Sequence, residues 1–328
     1  MKRPFAYVAG TGRGIPSTVF TNADFASIGI ETTDEWIVER TGIRQRHIAK
    51  TESATDLAAM ASRDAMQKAK VQPGEVDLIV LGTASPDRLL PSAAVDLQAA
   101  LGASRAAAFD VGAACSGFIY GATVAEGLMT TGGFETALVV GVEKLSAITD
   151  WQDRGTCVLF GDGAGAAILK RSKQHKGILS SYIRSDGTLG DLLCRPGGGA
   201  HSPFSADVLT ARSQYIRMNG REVFKHAVRS MSDAATRALD AAKVTGANID
   251  VMIPHQANVR IIEATAKHAN IPMDKVYVNV DRYGNTSAAS IPIALDEALE
   301  TGRIREGSTV LLVAFGAGFT WGAMVVRF

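Results

Sequence analysis

Cysteine is scarce in this chain: Cys115, Cys157 and Cys194 are the only three in 328 residues. An odd, sparse set does not make a disulfide framework, so a reducing compartment is expected. No sign of charge dominates, because 34 Lys and Arg stand against 33 Asp and Glu. A dedicated nucleic-acid binder carries a basic excess, and that class is set aside. Long apolar runs are also missing. None approaches the roughly 18 residues that a membrane-spanning helix needs, and the run ending at Gly10 is too short for a secretion signal. A cytoplasmic protein with no membrane association is expected. Proline is infrequent and no linker-like or low-complexity stretch occurs, which excludes a disordered scaffold.

Glycine is abundant, with 33 residues set beside short apolar runs. The runs at 6–10, 76–82, 106–111, 136–142, 156–160 and 164–169 read as strands. So do those at 178–183, 249–254, 275–280, 309–315 and 321–327. Helical patterns lie between them. The segment 53–70 carries Leu57, Met60 and Ala61 at helical spacing, with Ser53 and Thr55 available as caps. Helices alternating with continuous apolar strands predict an α/β fold with buried sheets.

The chain also contains an approximate repeat. Val76-Asp77-Leu78-Ile79-Val80 follows an Ala-rich helical pattern, as Ile249-Asp250-Val251-Met252-Ile253 does later. The next buried strand ends at Cys115-Ser116-Gly117 in one half and at Gly284-Asn285-Thr286-Ser287 in the other. Each half closes on a glycine-rich segment, 159–165 or 314–319. A duplicated chain places its joint site at the seam between the copies, and a division near 1–175 and 176–328 is expected.

Three side chains carry candidate chemistry. Cys115 lies where an apolar strand gives way to a small-residue turn and an apolar helix, a setting in which the helix N-terminus stabilises a thiolate. His255 ends a buried strand, in Pro254-His255-Gln256-Ala257-Asn258. Asn285 sits before a small-residue helix, where it either caps the helix or donates to an oxyanion. Cys, His and Asn together suit papain-like proteolysis, with His as base, and equally suit acyl transfer through a thioester. Cys157 and Cys194 lack such a setting and read as structural, as do His47, His175, His201, His226 and His268. Gly10-Thr11-Gly12-Arg13-Gly14 is a faint dinucleotide fingerprint with its third glycine too early. Gly161-Asp162-Gly163-Ala164-Gly165 lacks the Lys-Ser/Thr of a phosphate loop and reads as a tight hairpin between strands. No metal-ligand spacing is present.

The chain resembles the β-ketoacyl-acyl carrier protein synthase III family, the initiating condensing enzymes of type II fatty-acid synthesis. The likeness rests on residues 33–44, the Cys115 segment, Asp153-Arg154-Gly155-Thr156, 160–165, 255–261, 283–290 and Phe319-Thr320-Trp321-Gly322. It implies the thiolase fold, two similar α/β halves about a pseudo-twofold axis in five α-β-α-β-α layers, and a homodimer. It implies that Cys115 takes an acyl group from coenzyme A by a ping-pong route. His255 and Asn285 then stabilise the enolate formed when malonyl-acyl carrier protein loses carbon dioxide, giving a 3-ketoacyl-acyl carrier protein. Backbone N–H groups of Cys115 and Ala317 are the implied oxyanion donors. Thr32, Trp36, Arg40, Arg154 and Asn258 match coenzyme A positions. Leu90, Leu145, Phe160 and Leu192 match the acyl pocket. Lys225, Gln256, Ala257, Asn258, Val259, Arg260 and Lys267 match the acyl carrier protein dock. No metal or other cofactor is implied; coenzyme A is a substrate.

Two positions depart from the family pattern. Leu90 stands where a large aromatic is usual, which suggests longer or branched primers. Ala317 stands where Gly is usual, and it keeps the backbone donor only if the local conformation accepts a Cβ. Related chemistries to be separated are a secondary-metabolite acyl condensation or transfer, hydroxymethylglutaryl-coenzyme A synthesis and non-catalytic carrier binding. The second needs a catalytic Glu, and residues 84–90 offer only Asp87.

Overall fold

The computed structural model describes residues 5–131, 133–172 and 176–328. Residues 1–4, His175 and the 175 side of the expected division lie outside them.

The first sheet holds β1 (Phe5–Gly14), β2 (Leu78–Gly82), β3 (Ala107–Val111), β4 (Thr136–Glu143) and β5 (Gly163–Ser172) in the order β1-β5-β4-β2-β3. The first two pairings are antiparallel and the last two parallel. The second sheet holds β6 (Gly177–Ser185), β7 (Val251–Pro254), β8 (Thr309–Gly316) and β9 (Thr320–Arg327) in the order β6-β9-β8-β7. Its pairings run antiparallel, antiparallel, parallel, and Val276 then continues the series with a single parallel bridge to Met252. The two sheets therefore repeat one strand order and one set of directions. The repeat read in the sequence is a repeat of topology.

Strand alternation sorts the side chains into layers. Ile79 and Leu81 face α1 (Ala54–Ala69) and α2 (Ala93–Leu101) on one outer side. Leu78 and Val80 face the middle, where α3 (Gly117–Thr131) lies. From the second sheet, Val251, Ile253, Val310 and Leu312 enter the same middle core. Met252, Leu311 and Val313 turn outward to α4 (Gly220–Ala242) and α5 (Val259–His268). The helix α6 (Ser290–Glu300) completes the middle layer. The result is the α-β-α-β-α sandwich.

Local signals act as expected at several points. Ser53 caps α1, accepting the Asp56 N–H, while Asp87 accepts the N–H groups of Ala54 and Thr55 at 2.8 and 2.9 Å. Asp87 is thus a helix cap. Gly10, Gly12 and Gly14 do not form a turn. They line one face of β1, where a Cβ would strike the backbone of α1 at 2.2–2.7 Å, so the faint fingerprint is a close helix–strand contact.

Two expected strands are absent. Residues 156–160 begin within a short helix, Arg154–Cys157, and only Phe160 keeps a bridge, to Asn285. Residues 275–280 contribute the one Val276 bridge before a helical turn, Val280–Tyr283. Nor is the 161–165 segment a hairpin. Gly161 crosses the second half, its N–H donating to the Asn285 carbonyl at 3.0 Å. The 156–161 run meets the second half at Asn285, and 275–280 lies at the edge of the second sheet.

Candidate active site

Cys115, His255 and Asn285 come from separate parts of the chain and line one cavity of about 110 Å³. Cys115 lies in a single turn, Ala114–Ser116, that leads directly into α3. Ala114 takes the left-handed φ of +45°, so the turn is sharp and the thiol is presented at the seam. Gly316 closes against it. A Cβ at Gly316 would lie 2.6 Å from the Cys115 nitrogen, so no larger residue fits. The next residue, Ala317, is not among the residues with positive φ, and its Cβ is accepted without strain. The Thr320 hydroxyl fixes this corner by donating to the Ala113 carbonyl at 2.8 Å.

His255 follows β7 and is buried. Its ring Nδ1 meets the Ser290 hydroxyl at 2.6 Å, and the Ser290 oxygen also accepts the Gln256 N–H at 3.4 Å. Burial pulls the imidazole down to about 4, so the ring is neutral at pH 7. Asn285 is held on both backbone sides, by Leu159 and Gly161. Its side-chain oxygen accepts the Ser287 N–H at 2.9 Å. That contact occupies the acceptor end and leaves the amide NH2 as the free donor.

The thiol departs from expectation. The helix N-terminus is present, yet burial outweighs it and pushes Cys115 up to about 12. Cys115 is therefore held as a neutral thiol, because desolvation penalises the anion more than the dipole favours it.

Four of the five coenzyme A candidates, Thr32, Trp36, Arg40 and Arg154, lie outside the cavity lining. Trp36 lies in the helix Asp34–Thr41, capped by Thr33. The guanidinium of Arg40 is 4.4 Å and that of Arg154 4.8 Å from the Trp36 ring centroid. Arg154 also donates to the Glu31 carbonyl at 3.0 Å. Asn258 lines the cavity and donates to the Arg40 carbonyl at 2.8 Å, joining the Trp36 surface to the interior site. The Thr32 hydroxyl is buried without a partner among the described residues.

Ala257 lines the cavity, Val259 is half-buried beside it, and Lys225, Arg260 and Lys267 are exposed on α4 and α5. Arg260 lies over Phe224, a cavity residue, at 5.7 Å. Gln256 does not belong to that surface. It is 1% exposed, its amide donates to the carbonyls of Pro254 and Tyr277, and its oxygen accepts the N–H groups of Asn279 and Val280. It braces the strand end that carries His255.

The acyl-pocket candidates are scattered. Phe160 lines the cavity and Leu145 packs behind it. Leu193 lines the cavity and Leu192 does not. Leu90 is 86% exposed and lies outside the cavity lining of its own chain. Residues not singled out from sequence, Phe224, Ala227 and Met231, form one wall. Their three- and four-residue spacing marks one face of α4, a pattern that reads equally as ordinary core.

Residues 109–187 match the family described as 3-oxoacyl-[acyl-carrier-protein] synthase III, and residues 239–328 match its C-terminal part. The chain is 49% identical to the β-ketoacyl-[acyl-carrier-protein] synthase III of Symbiobacterium thermophilum, over 98% of this chain and 97% of that one. Among solved structures, 3-oxoacyl-[acyl-carrier-protein] synthase III from Aquifex aeolicus superimposes with a TM-score of 0.92 at 46% identity, covering 98% of this chain and all of that one. The priming β-ketosynthase of the R1128 polyketide pathway superimposes with a TM-score of 0.91 at 34% identity, covering 99% of this chain and 96% of that one.

Proposed function

The chain belongs to the β-ketoacyl-acyl carrier protein synthase III family, acyl-transferring condensing enzymes of fatty-acid synthesis, and from that premise we propose a two-stage reaction centred on Cys115. In the first stage the Cys115 sulfur attacks an acyl-coenzyme A thioester, and coenzyme A leaves as the thiol. The backbone N–H groups of Cys115 and Ala317 hold the oxyanion of that step. In the second stage malonyl-acyl carrier protein enters and loses carbon dioxide, and its carbanion attacks the acyl-Cys115 thioester.

The observation that carries this proposal is the pairing of His255 and Asn285 with the thiol in one cavity. We assign the Ser290 hydroxyl as the donor to His255 Nδ1, which places the proton of the neutral ring on Nε2. Nε2–H and the Asn285 NH2 are then two preorganised donors for enolate charge on the malonyl thioester oxygen. A papain-like reaction needs His255 as a base, and a ring held near 4 is poorly suited to take a proton at neutral pH. The thioester substrates supply their own activation, and no metal or redox group enters the proposal.

Coenzyme A is proposed to bind at Trp36, with Arg154 moving off the ring to admit a flat base between them, and Thr32, Arg40 and Asn258 along its path. The acidic carrier protein is proposed to dock on Lys225, Arg260 and Lys267 beside Ala257, Asn258 and Val259. Leu89 and Leu90 are both largely exposed, an apolar pair that a second copy would cover in a homodimer. Leu90 would then border the partner's acyl pocket, favouring primers longer or more branched than acetyl. A polyketide-type priming role is the second possibility, favoured by the likeness to the R1128 priming enzyme and opposed by the higher identities to the fatty-acid enzymes.

The test is carbon dioxide release from malonyl-acyl carrier protein in the presence of an acyl-coenzyme A primer. Asn285→Ala is expected to lower it by about 10²–10³-fold. Full release by that variant would refute the donor role.

A further inference from the structure

The two backbone donors proposed for the acyl oxyanion belong to different halves of the chain. Cys115 lies in the turn Ala114–Ser116, and Ala317 in the turn that joins β8 to β9. Two donors serve one oxygen only when both stand about 3 Å from it, so the two turns must be held in register. The turn 317–319 is tied at its far end. Phe319 exchanges backbone hydrogen bonds with Asp186, its N–H donating at 2.7 Å and its carbonyl accepting at 2.8 Å. Its ring packs against Phe315 and His226, at 4.7 and 5.6 Å between centroids. These contacts anchor Phe319, and Ala317 is two residues away.

Thr320 reaches both turns. It opens β9 opposite Gly316. Its hydroxyl oxygen lies 2.8 Å from the Ala113 carbonyl and 3.2 Å from the Ala317 carbonyl. A hydroxyl carries one proton, so the two carbonyls share it, the nearer one taking the larger part. The Ala113 carbonyl also accepts the Ser116 N–H at 3.0 Å, which closes the turn bearing Cys115. In return the Ser116 hydroxyl donates to the Thr320 carbonyl at 3.1 Å. Gly318 allows this approach, with φ at +137° and a position where a Cβ would meet the Thr320 methyl at 3.0 Å. One side chain therefore links the two turns, and nothing in the proposed reaction so far uses it.

We propose that Thr320 is a positioning residue that holds the Cys115 and Ala317 N–H groups in register for the oxyanion of Cys115 acylation. This rests on the two-stage reading above. Thr320 is outside the cavity lining and acts through the two carbonyls it ties. Its β-branch restricts the first side-chain torsion, so the hydroxyl is held ready at little cost in rotamer freedom. Loss of that tie frees the turns to shift against each other, and a small misplacement of oriented groups costs rate steeply.

Two reactions of the same sulfur decide it. Acylation by acetyl-coenzyme A builds negative charge on a carbonyl oxygen. Alkylation by iodoacetamide displaces iodide at a saturated carbon and builds no oxyanion. Both are followed by intact-protein mass, with Cys115→Ala correcting for Cys157 and Cys194. Thr320→Val keeps the shape and removes the hydroxyl. It is expected to lower the maximal acylation rate about tenfold, less than the roughly 10²–10³-fold cost of deleting a donor, because the donors are displaced and not removed. Half-saturation by acetyl-coenzyme A and the alkylation rate are expected to stay within about twofold of wild type. Thr320→Ser is expected to recover most of the acylation rate. A merely structural contact would slow both reactions together, so an unchanged ratio of acylation to alkylation would overturn the proposal. Should Thr320→Val not fold, Thr320→Ala is read by the same ratio, a fall supporting the proposal and an unchanged ratio overturning it. No acyl adduct on the wild type would overturn the two-stage reading and this proposal with it, whereas wild-type acylation with an unchanged ratio in the variants would overturn the role of Thr320 alone.

Discussion

His255 and Ser290 meet through one short hydrogen bond, 2.6 Å between ring Nδ1 and hydroxyl oxygen, inside a buried site. That bond sets which ring nitrogen carries the proton, and so whether His255 offers a donor or an acceptor to the cavity. Ser290→Ala removes the constraint without touching substrate. Carbon dioxide release from malonyl-acyl carrier protein is expected to fall by about tenfold, the kinetic equivalent of one hydrogen bond of roughly 1.4 kcal/mol. Acyl transfer to Cys115 is expected to stay within twofold or so of wild type, since His255 is proposed to act in the second stage. Equal losses in both stages would contradict the assignment.

The buried imidazole also ties stability to pH. Its proton affinity in the folded chain lies near 4, against an ordinary value of 6.5. Between those values the unfolded chain binds the extra proton and the folded chain does not, so stability increases with pH across this window. Acidification from about 6.5 towards 4 is expected to lower the thermal midpoint, and His255→Gln to lessen that slope. A slope unaltered in the variant would show that other groups carry it.

Gly316 is a steric requirement. A methyl group there meets the Cys115 nitrogen at 2.6 Å and the Ser116 nitrogen at 3.1 Å. Gly316→Ala is expected to cost about 1–3 kcal/mol of stability from overpacking. Acylation of Cys115 should fall with it, because the turn bearing the thiol must shift. Wild-type acylation and an unchanged melting temperature would contradict the packing account.

Arg260 lies at the rim, over Phe224 and away from the reacting groups. Arg260→Glu is expected to raise the KM for malonyl-acyl carrier protein about tenfold and to weaken its salt dependence, while acyl-coenzyme A use is unchanged. Equal effects on both substrates would remove Arg260 from the carrier-protein surface.

Much of this architecture was legible in the sequence because it is local. Alternating glycine and apolar runs mark most strands, and Ser53 marks the start of α1. Cys115 and His255 were legible because each follows a buried strand, and Asn285 because it precedes a small-residue helix, although a helical turn and not a strand leads into it. What escaped depends on contacts between distant segments. Residues 156–160 and 275–280 are apolar because they are buried at the seam or sheet edge, and apolar character alone does not separate that from a strand. Gln256 sits among surface-like neighbours, yet the Asn279 and Val280 N–H groups draw it inward. Glu143 reads as the polar end of a strand, and only the folded chain brings the Ser85 hydroxyl and the Ala84 N–H to it. Motif position likewise does not report desolvation, so the helix N-terminus at Cys115 suggested a thiolate where the folded site holds a thiol.

The central claim is that Cys115 carries the acyl group between two substrates. The most direct measurement is intact-protein mass after mixing with a panel of acyl-coenzyme A thioesters from acetyl to octanoyl, with Cys115→Ala alongside. A single acyl adduct is expected on the wild type, absent in the variant and discharged by malonyl-acyl carrier protein, with the longer or branched primers accepted at least as well as acetyl. No adduct from any thioester, or an adduct that persists in Cys115→Ala, would contradict the account.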